Sequence, residues 1–260
     1  MSQWILLRGL TRETRHWSGF DAALVAHGLA EGAEDIVGID LPGNGVEQGR
    51  PAPLSVEAMM EFIRARATAL GVRMPCRVIA MSLGAMVATA WAQRHPDDIE
   101  RLVLINTSMR PFASMHERLR PSAWPVLLRI AANSRRPGPC EALIHQLTCH
   151  RQDGADADIA HWTALRRTHG ASAGNALRQL LAAARFRAEK QMPAGKALVL
   201  SAAGDRLVDP VCSVRVAMHW GAVHAVHPWA GHDLPHDDPE WTCRAIVTWL
   251  AALEAQAARA

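Results

Sequence analysis

The chain has 260 residues, 49% of them hydrophobic and 20% charged, which excludes a disordered or fibrous protein and suffices for one core-burying domain, with or without an insertion. The formal charge of +3 is too small to mark a nucleic-acid binder, and no stretch approaches the ~18 apolar residues of a membrane span. Five cysteines, Cys76, Cys140, Cys149, Cys212 and Cys243, are odd in number and never spaced as Cys-x-x-Cys, so neither a disulfide framework nor a zinc site is indicated; they read as reduced thiols of a cytoplasmic protein.

Residues 3–7 read as a buried strand, and Arg8-Gly9-Leu10 with the polar run 11–16 as a loop. Trp17, Phe20 and Leu24 follow at helical spacing behind Ser18, a candidate N-cap. Residues 35–41 read as a second strand, ended by the turn Leu41-Pro42-Gly43-Asn44-Gly45. Ser55 can cap a helix whose apolar face runs through Val56, Met59, Ile63 and Leu70. The apolar run 78–81 then meets Ser82 and passes directly into an Ala-rich helical pattern that stops at Pro96.

A corner from strand to helix leaves little room, so the residues two before and two after the serine must be small; here they are Ala80 and Gly84. A serine held there exposes its Oγ beside the unpaired N–H groups of the following helix, the outline of a nucleophile site. The plain alternative is a serine that N-caps a core helix.

Residues 101–106 read as another buried strand. Residues 107–194 give only helical pieces separated by Pro121, Pro125, Pro137, Gly138, Pro139, Gly154 and Gly170. Strand character returns at 196–202 and 222–227, and a last helix carries Trp241, Ala245, Trp249 and Leu253 on one stripe. The fold class is therefore α/β: a mostly parallel sheet of about six strands with helices on both faces, a core of residues 1–106 and 195–260, and a helical lid at 107–194. Ligands of such sheets bind at the carboxyl ends of the strands.

A nucleophilic serine needs a base and a carboxylate to orient it. The strand at 196–202 runs into Gly204-Asp205-Arg206-Leu207-Val208-Asp209, and the strand at 222–227 into Gly231-His232-Asp233. Asp205 and His232 are the candidates, with Asp209 as a rival acid and His227 and His236 as rival bases. The order Ser82, Asp205, His232 is that of a known hydrolase triad.

With these motifs the chain resembles the α/β-hydrolase family over nearly its whole length. Leu6-Leu7-Arg8-Gly9-Leu10 and Trp17 resemble that family's oxyanion loop, and Asp40-Leu41-Pro42-Gly43-Asn44-Gly45 its Asp-Leu-Pro-Gly-x-Gly turn. The resemblance implies a serine hydrolase of carboxylic esters working through an acyl-enzyme, with the N–H groups of Leu10 and Leu83 as the oxyanion hole and no metal or organic cofactor. Thioester, lactone or carbon–carbon bond hydrolysis, a haloperoxidase-like activity, and a non-catalytic ligand-binding scaffold remain alternatives. The hairpin that usually precedes the first strand of the family is not expected here.

Arg8 departs from the family's usual histidine. It could hold a substrate carboxylate beside Trp17, or pair with Glu13 and brace the loop. Between Thr107 and Gly195 there are 13 basic residues against 6 acidic ones, a net +7, while the rest of the chain carries −4. A basic lid suits an anionic substrate or carrier. Within the family the chain is most similar to the pimeloyl-acyl-carrier-protein methyl ester esterase group, whose lid docks an acidic acyl carrier protein. Such a carrier is the expected protein partner, with neither nucleic acid nor membrane involved.

Overall fold

A computed structural model describes residues 2–192 and 196–259; the expected lid boundary at 194/195 and the two chain ends lie outside the described residues. Six strands, β1 (Trp4–Leu7), β2 (Ile36–Gly38), β3 (Cys76–Met81), β4 (Ile99–Ile105), β5 (Ala197–Ala202) and β6 (Val223–His227), form one all-parallel sheet in the order β2-β1-β3-β4-β5-β6. Successive side chains of a strand point to opposite faces, and each face has its own core. Ile5, Leu7, Val78, Ala80, Leu102, Leu104 and Val199 pack with helices α2 (Val56–Ala69) and α3 (Leu83–Arg94). Trp4, Leu6, Ile79, Met81, Val103, Ile105, Leu198 and Leu200 pack on the other face with α1 (Phe20–Ala26) and α11 (Pro239–Ala257). Each fully buried Leu or Ile contributes roughly 1.5–3 kcal/mol, which is why the central strands read as unbroken apolar runs.

The order matters for function. The chain leaves β1 to one side for β2 and to the other for β3, which makes the carboxyl ends of β1 and β3 the point where ligands of such sheets bind. Leu7 pairs with Ala80, so the segments beginning at Arg8 and Ser82 emerge side by side.

Two local expectations are corrected. The second strand ends at Gly38 rather than residue 41: the Ile39 N–H still reaches Leu6 O, but the Asp40 carboxylate then accepts from the Thr14 N–H and hydroxyl and from the Val46 N–H, folding the chain off the sheet edge. Ser18 does not cap α1. It has φ 45°, the N-cap is Gly19 at φ 82°, and Trp17 lies in the preceding 3-10 turn. Ser55 does cap α2, accepting from the Ala58 N–H.

Between β4 and β5 lie α4 (Met115–Arg118), α5 (Trp124–Ala132), α6 (Pro137–Thr148), α7 (Ala155–His169) and α8 (Ala173–Arg185), with no strand among the described residues beyond an isolated bridge from Arg110 to Arg187. Buried amides fasten α8 to the core loops. Gln179 donates to Pro42 O and Asn44 Oδ1 and accepts from the Thr11 N–H, while Asn175 donates to the carbonyls of Gln48 and Arg50 and accepts from the Ala52 N–H. The remaining helices, α9 (Val211–Trp220) and α10 (Leu234–Asp237), follow β5 and β6. No described helix is long and apolar enough to cross a membrane, and all five cysteines are free and buried.

Candidate active site

Ser82 sits where β3 gives way to α3, with φ 53° and ψ −117°, a backbone conformation that costs a non-glycine residue about 1–3 kcal/mol and persists only where its surroundings enforce it. Close backbone approach enforces it here. A Cβ on Gly84 would lie 2.5 Å from Arg8 O and 2.7 Å from Leu7 O, and one on Gly9 would lie 3.0 Å from the Ser82 Cβ. The loop after β1 is thus pressed directly onto the serine corner. Leu83 is the first residue of α3, so its N–H has no acceptor within the helix. Among the described residues the Leu10 N–H makes no hydrogen bond either.

Asp205, in the loop after β5, is 2% exposed. Its Oδ1 accepts from the N–H groups of Leu207 and Val208, and its Oδ2 lies 2.7 Å from His232 Nδ1. The carboxylate therefore holds the imidazole with a hydrogen on Nδ1 and leaves Nε2 as the basic nitrogen. Gly204 lets the Asp205 loop lie against the loop after β6, since a Cβ there would meet Trp229 O at 2.5 Å, and Gly231 lets that second loop lie against the end of α6, where a Cβ would meet Thr148 O at 2.5 Å. The rivals bond elsewhere. Asp209 caps toward the Val211 N–H, His227 lies against Asp238, and His236 against Asp158.

The serine and histidine segments are joined through the end of β4, where sequence reasoning had singled out nothing. Asn106 donates through Nδ2 to the carbonyls of Gly231 and His232 and accepts at Oδ1 from the Ala202 N–H. The next residue, Thr107, donates its hydroxyl to Ser82 O. No hydrogen bond joins Ser82 Oγ to His232 among the described residues, a contact that in related chemistry commonly tightens only around substrate.

The expectation for Arg8 is corrected. Its partner is not Glu13, which pairs with Arg15, but Asp233, 225 residues away. The two guanidinium Nη atoms lie 3.0 and 2.5 Å from the two carboxylate oxygens, with both side chains 3% exposed. Burial alone would push the Asp233 carboxyl up; the charge and hydrogen bonds of Arg8 outweigh it and hold it below the usual carboxylate range. Arg8 also lies over the Trp17 ring, 4.9 Å from its centroid, and Trp17 is itself buried against Phe20. Both residues are thereby engaged in bracing the loop, and neither presents its polar group as an open substrate contact.

The same loop reaches the inserted helices. Arg12 donates to Glu141 of α6 and lies over Trp162 of α7, and Glu141 also accepts from Arg166. Burial would raise the Glu141 carboxyl, but the two guanidiniums outweigh it and keep it low. His16 beside Arg12 is pushed well below its ordinary value by burial and by the charges of Arg12 and Arg8, so it stays neutral. Asn106, Asp233 and Glu141 carried no periodic or motif signal; only the adjacency of Asp233 to His232 offered one.

Residues 5–220 match the family model described as the alpha/beta hydrolase fold. One curated relative, the pimeloyl-[acyl-carrier protein] methyl ester esterase of Chromobacterium violaceum, is 32% identical over 87 residues, which span 34% of this chain and 29% of the relative. The chain thus matches under a third of that protein's length. Among solved structures, an alpha/beta hydrolase fold protein from Chitinophaga pinensis superposes with TM-score 0.71 at 19% identity, covering 96% of this chain and 89% of the other. A thermophilic esterase from Thermogutta terrifontis does so with TM-score 0.69 at 22% identity, covering 97% and 90%.

Proposed function

Since the chain belongs to the alpha/beta hydrolase fold family, we propose that it is a serine hydrolase of carboxylic esters, with Ser82 as nucleophile, His232 as base and Asp205 as the carboxylate that orients it. The observation that carries this reading is the 2.7 Å contact of buried Asp205 with His232 Nδ1, on a loop that Asn106 and Thr107 couple to the strained Ser82 corner. His232 Nε2 takes the Ser82 proton as Oγ attacks the ester carbonyl carbon. The developing oxyanion accepts hydrogen bonds from the N–H groups of Leu83 and Leu10. The protonated His232 passes its proton to the departing alcohol, and a water, activated by His232 in turn, releases the acyl group from Ser82.

In this reading residues 107–194 act as a lid over the carboxyl ends of β1 and β3 and select the substrate. Their net +7 favours an anionic acyl group or an acidic acyl carrier, in keeping with the name of the Chromobacterium relative, and five reduced thiols suit the cytoplasm. A fluorophosphonate probe supplies the test. It labels the wild-type protein and spares Ser82→Ala; failure to label a folded wild type refutes an activated serine. On p-nitrophenyl esters, kcat/KM is higher for acyl chains ending in a carboxylate, and on carrier-linked esters it falls as salt rises from low to physiological strength. An unchanged kcat/KM in both comparisons rejects the anionic-substrate part while leaving the serine chemistry standing.

A further inference from the structure

Three buried side chains meet where the inserted helices contact the core. His145 lies in the last turn of α6 and Cys149 is its C-terminal cap, a spacing of four that puts both on one side of the helix. His236 comes from α10, four residues after His232. One ligand atom from each of the three lies within 4.8 Å of the other two, and the residues are only 3, 1 and 5% exposed. His145 Nε2 is buried and has no hydrogen-bond partner among the described residues, so an acceptor lone pair or a donor is left uncompensated there. Asp158 of α7 brings Oδ2 to 2.9 Å from His236 Nε2 and 4.0 Å from His145 Nε2. Trp162 walls the cluster, its ring 5.4 Å from that of His145 and 4.9 Å from that of His236.

We propose that His145, Cys149, His236 and Asp158 form a binding site for a divalent transition-metal ion of the zinc class, which clips the inserted helices to the segment that follows His232. Two imidazoles, a thiolate and a carboxylate make a borderline-soft set that suits zinc or cobalt and disfavours magnesium or calcium. With metal bonds near 2.0–2.3 Å, tetrahedral ligand atoms stand about 3.3–3.8 Å apart, so the atoms of His145, Cys149 and His236, within 4.8 Å of one another, lie close to that spacing. As the metal–sulfur bond forms, the Cys149 thiol releases its proton to solvent. The imidazoles bind through neutral lone pairs, and thiolate plus carboxylate balance the two positive charges. Without the ion, burial pushes the Cys149 thiol well above its ordinary value and keeps it protonated. Arg151, which donates to Asp158 and approaches His236 Nε2, is more than a third exposed and is free to swing into solvent. The Cys-x-x-Cys spacing that marks many zinc sites is absent, because the ligands come from three helices rather than one knuckle.

Chelator-stripped protein titrated with Co2+ is expected to take up one equivalent and to develop the near-ultraviolet thiolate-to-cobalt absorption together with the intense visible bands of a tetrahedral ion, all bleached by Zn2+. Free Zn2+ at a hundredfold excess over its Kd raises Tm by about 5–10 °C. Cys149→Ser and His145→Gln each abolish the thiolate absorption while circular dichroism shows them folded. If those variants do not fold, protection of Cys149 from alkylation by Zn2+ in the wild type, read by mass spectrometry in mild denaturant, replaces them. A folded, stripped wild type without the absorption, an absorption retained in both variants, or a Cys149 alkylated equally with and without Zn2+ overturns the proposal.

Discussion

Replacing Asp233 by Asn tests how the histidine segment is held. The substitution keeps the shape of the side chain but removes the charge facing Arg8, leaving a guanidinium that is 3% exposed without its counter-ion. Removing one partner of a buried pair typically costs about 3–5 kcal/mol, against ~0–1 kcal/mol for a surface pair. For a chain of this size each kcal/mol moves Tm by roughly 2–4 °C, so a fall of about 6–20 °C is expected. Calorimetry or urea unfolding reads it, and a double-mutant cycle identifies its source. Arg8→Met combined with Asp233→Asn should lose much less than the two single changes together, because no uncompensated charge remains. Since Asp233 adjoins His232, kcat on an ester should also fall, on the order of 10–100-fold, with KM little changed. A loss under about 1 kcal/mol for Asp233→Asn, or additive losses in the cycle, would refute the claim that this pair anchors the segment.

Asp205→Asn should lower kcat about 10⁴-fold and slow fluorophosphonate labelling while circular dichroism shows the fold intact, whereas Asp209→Asn should change kcat less than about tenfold; comparable losses would exchange their roles. Gly84→Ala drives a methyl group into the backbone carbonyls of Leu7 and Arg8, so it should cost at least about 1–3 kcal/mol in urea unfolding and slow labelling of Ser82. Asp98 accepts from Arg64 and from the Trp91 indole; burial raises its carboxyl, and these partners more than offset that, holding it below the usual range. Its contribution is therefore full above the unfolded carboxylate value near about pH 4 and is lost as pH falls through the lower folded value. The stability gap between wild type and Asp98→Asn should shrink on acidification, and a gap that widens would contradict the sign.

The sheet could be read from the chain because parallel strands covered on both faces must be apolar throughout, as at residues 101–106 and 196–202. The strand-to-helix corner at Ser82 could be read because it demands small neighbours. Arg8 could not. A local acidic residue, Glu13, looked like its partner, whereas the actual one, Asp233, is brought close only by the topology that sets the loop after β1 beside the loop after β6. Asn106 was equally silent, since nothing in the pattern of a strand end tells whether an amide points to solvent or ties two other strand ends together. The start of α1 failed for a different reason: Ser18 has the chemistry of a cap, but two successive positive-φ residues turn the chain there, and Gly19 takes the capping position.

Arg8 and Arg12 are four residues apart, and they pull in different directions. One is locked to the segment carrying His232; the other is locked to Glu141 on the inserted helices. A displacement of α6 away from the core would part Arg12 from Glu141 and leave the Arg8–Asp233 pair in place. Leu10 lies between these two anchors, so the shape of the loop that carries it is set jointly by the inserted helices and by the segment after β6.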